Sequence, residues 1–338
     1  MNVVQSQPAR QYRPDIDGLR AVAILSVVLY HAHVPFVSGG FTGVDIFFVI
    51  SGYLIGGHIF SDLSAGTFSY LKFYRLRAKR ILPAFFCMLA ATILAALLLF
   101  SPYEARDFSR SALTATLSVS NIYFWRYVNY FQGPAEFNPL LMTWSLGVEE
   151  QFYAVIPLLL VVLARIRRSL ILPAILFICA LSLLLAWHEF PIQPFFVFFM
   201  LPARAWELGV GVALAVVELT WKRAPVPASL ANLFSITGLA LMLAPVFLIK
   251  TDSQFPGTIA LPTVLGTAVI IALPASSINR RLLSLSPLVF IGRISYSWYL
   301  WHWPVLAFLR LISQRDLPPA VAATAVVFSL ALAIASYF

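Results

Sequence analysis

Long apolar runs separated by short polar stretches set the rhythm of this chain. The runs are continuous and lack the two-residue alternation of an outer-membrane barrel strand. About 20 such residues are what a helix needs to cross a bilayer. They occupy 16–35, 41–60, 81–100, 143–163, 170–187, 196–219, 229–249, 258–274, 288–310 and 320–338. A weaker run at 110–128 carries Asn121 and Arg126. The pattern predicts an all-α polytopic membrane protein, a bundle of about ten or eleven transmembrane helices. No internal repeat or low-complexity tract interrupts it. Residues 1–338 therefore read as a single transmembrane domain, with a core bundle over 16–319 and a last helix at 320–338.

Composition strengthens this picture. Of the 338 residues, 60% are hydrophobic and 11% charged, where a soluble domain carries about 25% charged residues. So much apolar surface needs lipid as its solvent. The net charge of +9 does not indicate a nucleic-acid partner. The basic residues stand in short runs between apolar segments, where the positive-inside rule and anionic membrane lipid account for them. The densest run holds Lys72, Arg75, Arg77, Lys79 and Arg80. It assigns its end of the bundle to the cytoplasm, so the first helix runs outward. Arg165, Arg167 and Arg168 share that side only if 110–128 does not cross.

Cys87 and Cys179 lie inside apolar stretches, outside any metal-ligand spacing, and no bound metal is expected. Residues 1–13 are polar and no small-residue cleavage site follows, so the first span is expected to stay as an anchor. The sequence stops at Phe338 inside an apolar run, which reads as the membrane part of something longer.

Ionisable residues at membrane depth are costly and mark function by default. In the first span Arg20 and His31 are separated by eleven positions, a net rotation of about 20° and a rise of roughly 16 Å on a helix. They share a face about half a bilayer apart. Asp17 is placed to pair with Arg20. Histidine is the usual general base near neutral pH, and the alternative reading of His31 is an interfacial histidine at a helix end. In the second span Gly52 and Gly56 form a GxxxG pair that permits close helix contact. Asp45, seven positions before Gly52, shares its face. It could orient the His31 imidazole as a carboxylate does in hydrolytic triads, or serve as a carboxylate favoured by a helix N-terminus.

Arg75, Arg77 and Arg80 could meet a cytosolic anion, because arginine forks suit phosphate; lipid headgroups are the alternative. Ser145, Glu149 and Tyr153 share a helix face, and the adjacent Glu149 and Glu150 could bind an acceptor hydroxyl or anchor an arginine. Arg204 and Glu207 read as an internal ion pair. His302 stands among Trp298, Trp301 and Trp303 and could share a site with His31. No phosphate-cradling glycine loop, zinc motif or G-x-S-x-G sequence occurs.

Six pieces occur in order: R-P-D-I-D-G-L-R with His31 following; G-G-F-T-G-V-D-I-F-F-V-I-S-G-Y-L-I; F-Y-R-L-R-A-K-R-I-L-P; W-S-L-G-V-E-E-Q-F-Y; R-A-W-E-L-G-V-G; and I-S-Y-S-W-Y-L-W-H-W-P. Together they resemble the bacterial acyltransferase-3 membrane family; the W-H-W-P ending and the I-A-S-Y-F terminus are most similar to members that carry a C-terminal extracytoplasmic SGNH-type domain, which residues 1–338 do not contain. The resemblance implies a multi-pass protein of the bacterial cytoplasmic (inner) membrane. It would move an acetyl or other short acyl group from cytosolic acyl-CoA, acetyl-CoA above all, to hydroxyls of an extracytoplasmic glycan. Lipopolysaccharide O-antigen, exopolysaccharide, peptidoglycan and lipid-linked oligosaccharide are the acceptor classes. It also implies that Arg20 and His31 form the family's Arg-x10-His motif, with His31 essential. Arg75, Arg77 and Arg80 would handle the donor, and Glu149 and Glu150 would match its Glu-Glu motif. No permanently bound cofactor is implied. Asp45 joins His31, Glu149 and Glu150 as the expected catalytic set. From the residues alone, a proton-coupled transporter built on the same buried charges and a non-catalytic membrane scaffold remain as rivals.

Overall fold

A computed structural model describes residues 12–127, 136–221, 226–249, 255–314 and 317–337. Most of the polar leader, and Phe338 itself, lie outside the described residues. The described residues are helical throughout, with no β-strand among them. Thirteen α-helices follow in order: α1 (Pro14–His31), α2 (Gly43–Ala65), α3 (Tyr70–Leu99), α4 (Pro102–Thr116), α5 (Ser120–Tyr127), α6 (Thr143–Ile166), α7 (Ile171–Glu189), α8 (Pro194–Phe199), α9 (Leu201–Thr220), α10 (Ala228–Leu248), α11 (Leu261–Ala272), α12 (Ser286–Ser313) and α13 (Pro319–Tyr337).

Seven helical segments are long and apolar enough to cross a membrane. They contain α2, α3, α6, α7, α8 with α9, α10, and α13. The protein is thus an all-α, multi-pass membrane protein. The expected total of ten or eleven spans requires α1, α11 and α12 in addition. α1 holds Asp15, Asp17 and Arg20 within its 18 residues. α12 carries Arg293, His302 and Arg310. α11 has only 12 residues. Charge is tolerated in α1 and α12 because both lie inside the bundle: Leu19, Ile24, Val27, Trp298, Trp303 and Leu306 are all buried.

The weak segment at 110–128 is not one helix. Ser118, at φ 58°, ends α4. α5 then turns back, so that the Tyr123 hydroxyl donates to the Asp107 carbonyl at 3.4 Å. Asn138, just before α6, reaches Ser111 at 3.3 Å, and its carbonyl accepts from the Trp303 indole at 2.8 Å. α4, α5 and the residues just before α6 thus meet at one end of the bundle. At the opposite end, Arg168 donates to the Leu63 carbonyl at 3.2 Å, which sets it beside the polar turn that precedes the basic start of α3.

Small residues let the central helices touch. A Cβ at Gly52 would collide with the Leu208 backbone of α9, and one at Gly211 with the Val49 backbone of α2. The GxxxG pair in α2 therefore packs on α9: Gly56 meets Val212 there. α1 is clamped to α12 in the same way, with Gly292 against the Asp17 backbone. These contacts set α1, α2, α9 and α12 side by side. Their polar residues meet in the middle of the bundle.

Candidate functional site

Arg20, Arg77 and Arg80 line one mouth of a cavity enclosing about 820 Å³, part of it open to solvent. Ser51, Glu149 and Tyr153 line its middle, and Val44, Phe47, Ser145 and Tyr299 its inner end. A second hollow, of about 1100 Å³, shares Arg20, Leu54 and Arg80 with the first and adds Tyr12, Arg13 and Arg293. Arg20 and Arg80 therefore sit at a junction between an outer vestibule and an inner pocket.

Local pairing fixes this mouth. Arg20 donates to Asp17 at 3.2 Å, one helical turn earlier. Arg77 lies over the Tyr153 ring, 3.7 Å from its centroid, a stacking that suits a planar guanidinium. The two oxygens of Glu149 accept from Ser51 at 2.8 Å and from Tyr153 at 3.1 Å. Ser145, Glu149 and Tyr153 do share one face of α6, as their spacing requires, and that face looks into the cavity. Glu150 is half-buried and is not among the lining residues. Arg75 is exposed and is not among the lining residues.

Beyond the inner end lies a histidine pair. Tyr299 bonds Ser145 at 2.7 Å, and its ring centroid lies 5.4 Å from that of His302. His302 Nε2 is 3.0 Å from His31 Nδ1, and His302 Nδ1 is 3.1 Å from the Trp298 carbonyl. The two imidazoles are nearly parallel, at 20°. Trp303 packs its ring edge-on to His31 with centroids 4.7 Å apart. Both histidines are buried.

Past His31 the polar line continues to the other end of the bundle. Arg310 donates to the His31 carbonyl at 2.5 Å and approaches His33 Nε2 at 3.2 Å. Glu136 faces both, 3.7 Å from His33 and 3.7 Å from Arg310. Contact with His33, and then the Arg310 charge, holds the Glu136 carboxyl below the usual glutamate range against a smaller opposing effect of burial. Glu136 is half-buried and stands in a short turn before α6, outside the spanning helices.

The expectation that Asp45 orients His31 is corrected. Asp45 accepts from Arg204 of α9 at 2.6 Å, and Arg204 also contacts Glu207 at 3.2 Å. The Arg204 guanidinium is enclosed by the rings of Phe48, Trp144, Phe198 and Phe255, each 5.3–6.0 Å away. Asp45 does face the bundle interior. The glycine contacts between α2 and α9 bring it to Arg204, and the partner of His31 is His302. Among the described residues no cluster of three metal-binding side chains occurs.

The family model for an acyltransferase domain matches residues 13–338. The chain belongs to the acyltransferase-3 family. Among curated proteins, it is 33% identical over 327 residues to a protein of Komagataeibacter xylinus named as a membrane-bound transacylase, BcsY. That alignment covers 96% of this chain and 81% of BcsY. It is 32% identical over 315 residues to the O-acetyltransferase OatA of Staphylococcus aureus, covering 89% of this chain and 51% of OatA. It is 32% identical over 326 residues to the peptidoglycan O-acetyltransferase OatA of Listeria monocytogenes, covering 92% of this chain and 52% of that protein. The chain thus spans about half the length of these OatA relatives. No solved structure matches it.

Within this acyltransferase-3 chain the structure joins residues that sequence spacing left apart. His31 and His302 are brought together, as are Arg20, Arg77 and Arg80. Ser51, Tyr299, Arg310 and Glu136 were not singled out. Arg310 carried a usable signal, an arginine eight positions after His302 within an apolar helix. Ser51 and Tyr299 carried none: small hydroxyls are common in membrane helices, and Tyr299 stands in an aromatic run that reads as an interfacial belt.

Proposed function

We propose that this chain is a membrane O-acyltransferase that moves a short acyl group from acyl-CoA to hydroxyls of a cell-envelope glycan. The observation that carries the reading is the arginine-lined cavity that leads, through Tyr299, to the His31–His302 pair. Ten helices cross the membrane on this reading: α1, α2, α3, α6, α7, α9, α10, α11, α12 and α13. The α4–α5 hairpin stays on the outer side, which sets Arg165, Arg167 and Arg168 on the cytoplasmic side with the basic start of α3. The membrane is the bacterial inner membrane.

Acyl-CoA enters from the cytoplasmic vestibule. Its phosphates lie on Arg20, Arg77 and Arg80, which offer charge-assisted hydrogen bonds. The thioester points along the cavity past Ser51 and Glu149 towards Tyr299. A movement of the Tyr299 ring opens the last step to His31. His31 then either attacks the thioester carbon, so that the C–S bond breaks and the CoA thiolate leaves, and passes the acyl group on to the acceptor hydroxyl, whose proton goes to the thiolate; or it takes the proton of an acceptor hydroxyl attacking that carbon and returns it to the departing CoA sulfur. The Asp45–Arg204–Glu207 cluster supports α2 against α9 and does not touch the reacting atoms. The acceptor belongs to the class on which the Listeria relative acts by name, peptidoglycan, or to another surface glycan such as lipopolysaccharide O-antigen. Ten crossings return the end of α13 to the side of Tyr12 and Arg13, where Tyr337 shares their hollow, so in a longer protein an SGNH-type domain in cis would need one further span to relay the acyl group outside.

The polar line from Arg20 to Arg310 also suits a proton-coupled transporter, which makes the discriminating experiment simple. Purified protein in vesicles is given acetyl-CoA labelled in the acetyl group. The acyltransferase separates label from CoA in a glycan-dependent manner. Label that stays on CoA, with substrate moving across the vesicle, would establish the transporter instead.

A further inference from the structure

The hydrogen-bond chain Trp298 carbonyl, His302, His31 has a direction that chemistry fixes. A carbonyl oxygen only accepts. The Trp298 oxygen, 3.1 Å from His302 Nδ1, therefore requires a proton on that nitrogen. A neutral His302 with its proton on Nδ1 presents a bare Nε2, 3.0 Å from His31 Nδ1. For that contact to be a hydrogen bond, His31 Nδ1 must donate. The alternative, a doubly protonated His302, would place a full charge where the residue has no solvent exposure. Among the described residues no carboxylate is bonded to His302 to compensate it, and an uncompensated buried charge is very costly.

We propose that His302 is a positioning residue that holds His31 as the tautomer with its proton on Nδ1 and its lone pair on Nε2. An imidazole left to itself favours the other tautomer, with the proton on Nε2. The choice made here is thus imposed by the neighbouring helix, in the way a hydrogen bond to one ring nitrogen decides which nitrogen reacts. α12 performs this through its own backbone: Trp298 and His302 are one helical turn apart, and the Trp298 carbonyl sets the whole relay. The role resembles that of the carboxylate in a hydrolytic triad, with a neutral imidazole in its place. The near-parallel rings and the Trp303 edge against His31 restrict rotation that would break the line. The inference rests on the reading of His31 as the reacting group, and it names Nε2 as the reacting atom.

The test uses the full chain in lipid nanodiscs with nitrogen-15 histidine. There are five histidines in the sequence, and His31 and His302 are assigned from the H31A and H302Q variants. Above neutral pH, His31 should show a protonated Nδ1 and an unprotonated Nε2. In H302F this pattern should give way to the Nε2-protonated form. In H302Q, whose side-chain oxygen can stand near the position of His302 Nε2, the wild-type tautomer should persist. Turnover follows the same order: H302F should lose about tenfold or more in kcat with an unchanged KM for acetyl-CoA, and H302Q should recover much of it. A wild-type His31 protonated on Nε2, or an H302F protein with wild-type kcat, overturns the proposal. The spectrum of the wild-type chain decides the tautomer even if H302F fails to fold. It also needs no acyl transfer, so a failure of the acyltransferase reading is seen separately.

Discussion

Arg77 and Arg80, three positions apart on α3, both reach the cavity, whereas Arg75 does not. Two residues along a helix is a rotation of about 200°, so Arg75 and Arg77 cannot serve the same ligand from one face. If the cavity holds the phosphates of acyl-CoA, R77A and R80A should each raise its KM by about 10- to 100-fold, from about 1.5–3 kcal/mol per lost charged hydrogen bond. R75A should leave KM unchanged. Steady-state kinetics in nanodiscs would check both. Glu136 supports a second prediction. Its folded-state pKa is depressed, so its contact with His33 and Arg310 stabilises fully above the ordinary glutamate pKa. That stabilisation is lost as the pH falls through the lower, folded value. Thermal stability should therefore drop on acidification below about pH 4, and E136Q should show less of this drop. Melting curves of both proteins across pH would reveal it.

At the scale of the helices, spacing made depth and facing legible but not neighbours. The Arg20–His31 face, the Ser145–Glu149–Tyr153 face and the contact role of Gly52 and Gly56 all followed from the 3.6-residue period. The partner of Asp45 did not, because periodicity within α2 says nothing about which helix stands opposite. That choice is made by Gly52 and Gly211, which let α2 and α9 approach to backbone contact. Once they do, Asp45 and Arg204 meet, and His31 is left to α12. The 110–128 segment was ambiguous for a related reason: its composition is too polar for a firm span, and the turn at Ser118 has no glycine or proline to announce it. The α2–α9 contact yields a test of its own. G52A should destabilise the protein by about 1–3 kcal/mol through overpacking, read as a lower denaturation midpoint in detergent. A change to alanine at Gly66, where a Cβ meets nothing within 4 Å but φ is +70°, should act only through local backbone strain.

Among the described residues, polar groups form a line through an apolar bundle: arginines at one mouth, Glu149 and Ser51 in the cavity, the histidine pair beyond Tyr299, and Arg310 with Glu136 at the far end. The sequence showed most of these as isolated ionisable residues out of place in lipid. Their order along one path became visible only when α1, α2, α6 and α12 were placed together. A path of this kind suits a reaction whose donor arrives on one side and whose acceptor waits on the other. His31 lies where the two halves meet, and its removal tests the account most directly. Cells carrying H31A in place of the wild-type chain would be examined by mass spectrometry of their envelope glycans, with membrane levels of the protein measured alongside. The account predicts loss of O-acylation at an undiminished protein level. Normal O-acylation by the H31A protein would contradict it.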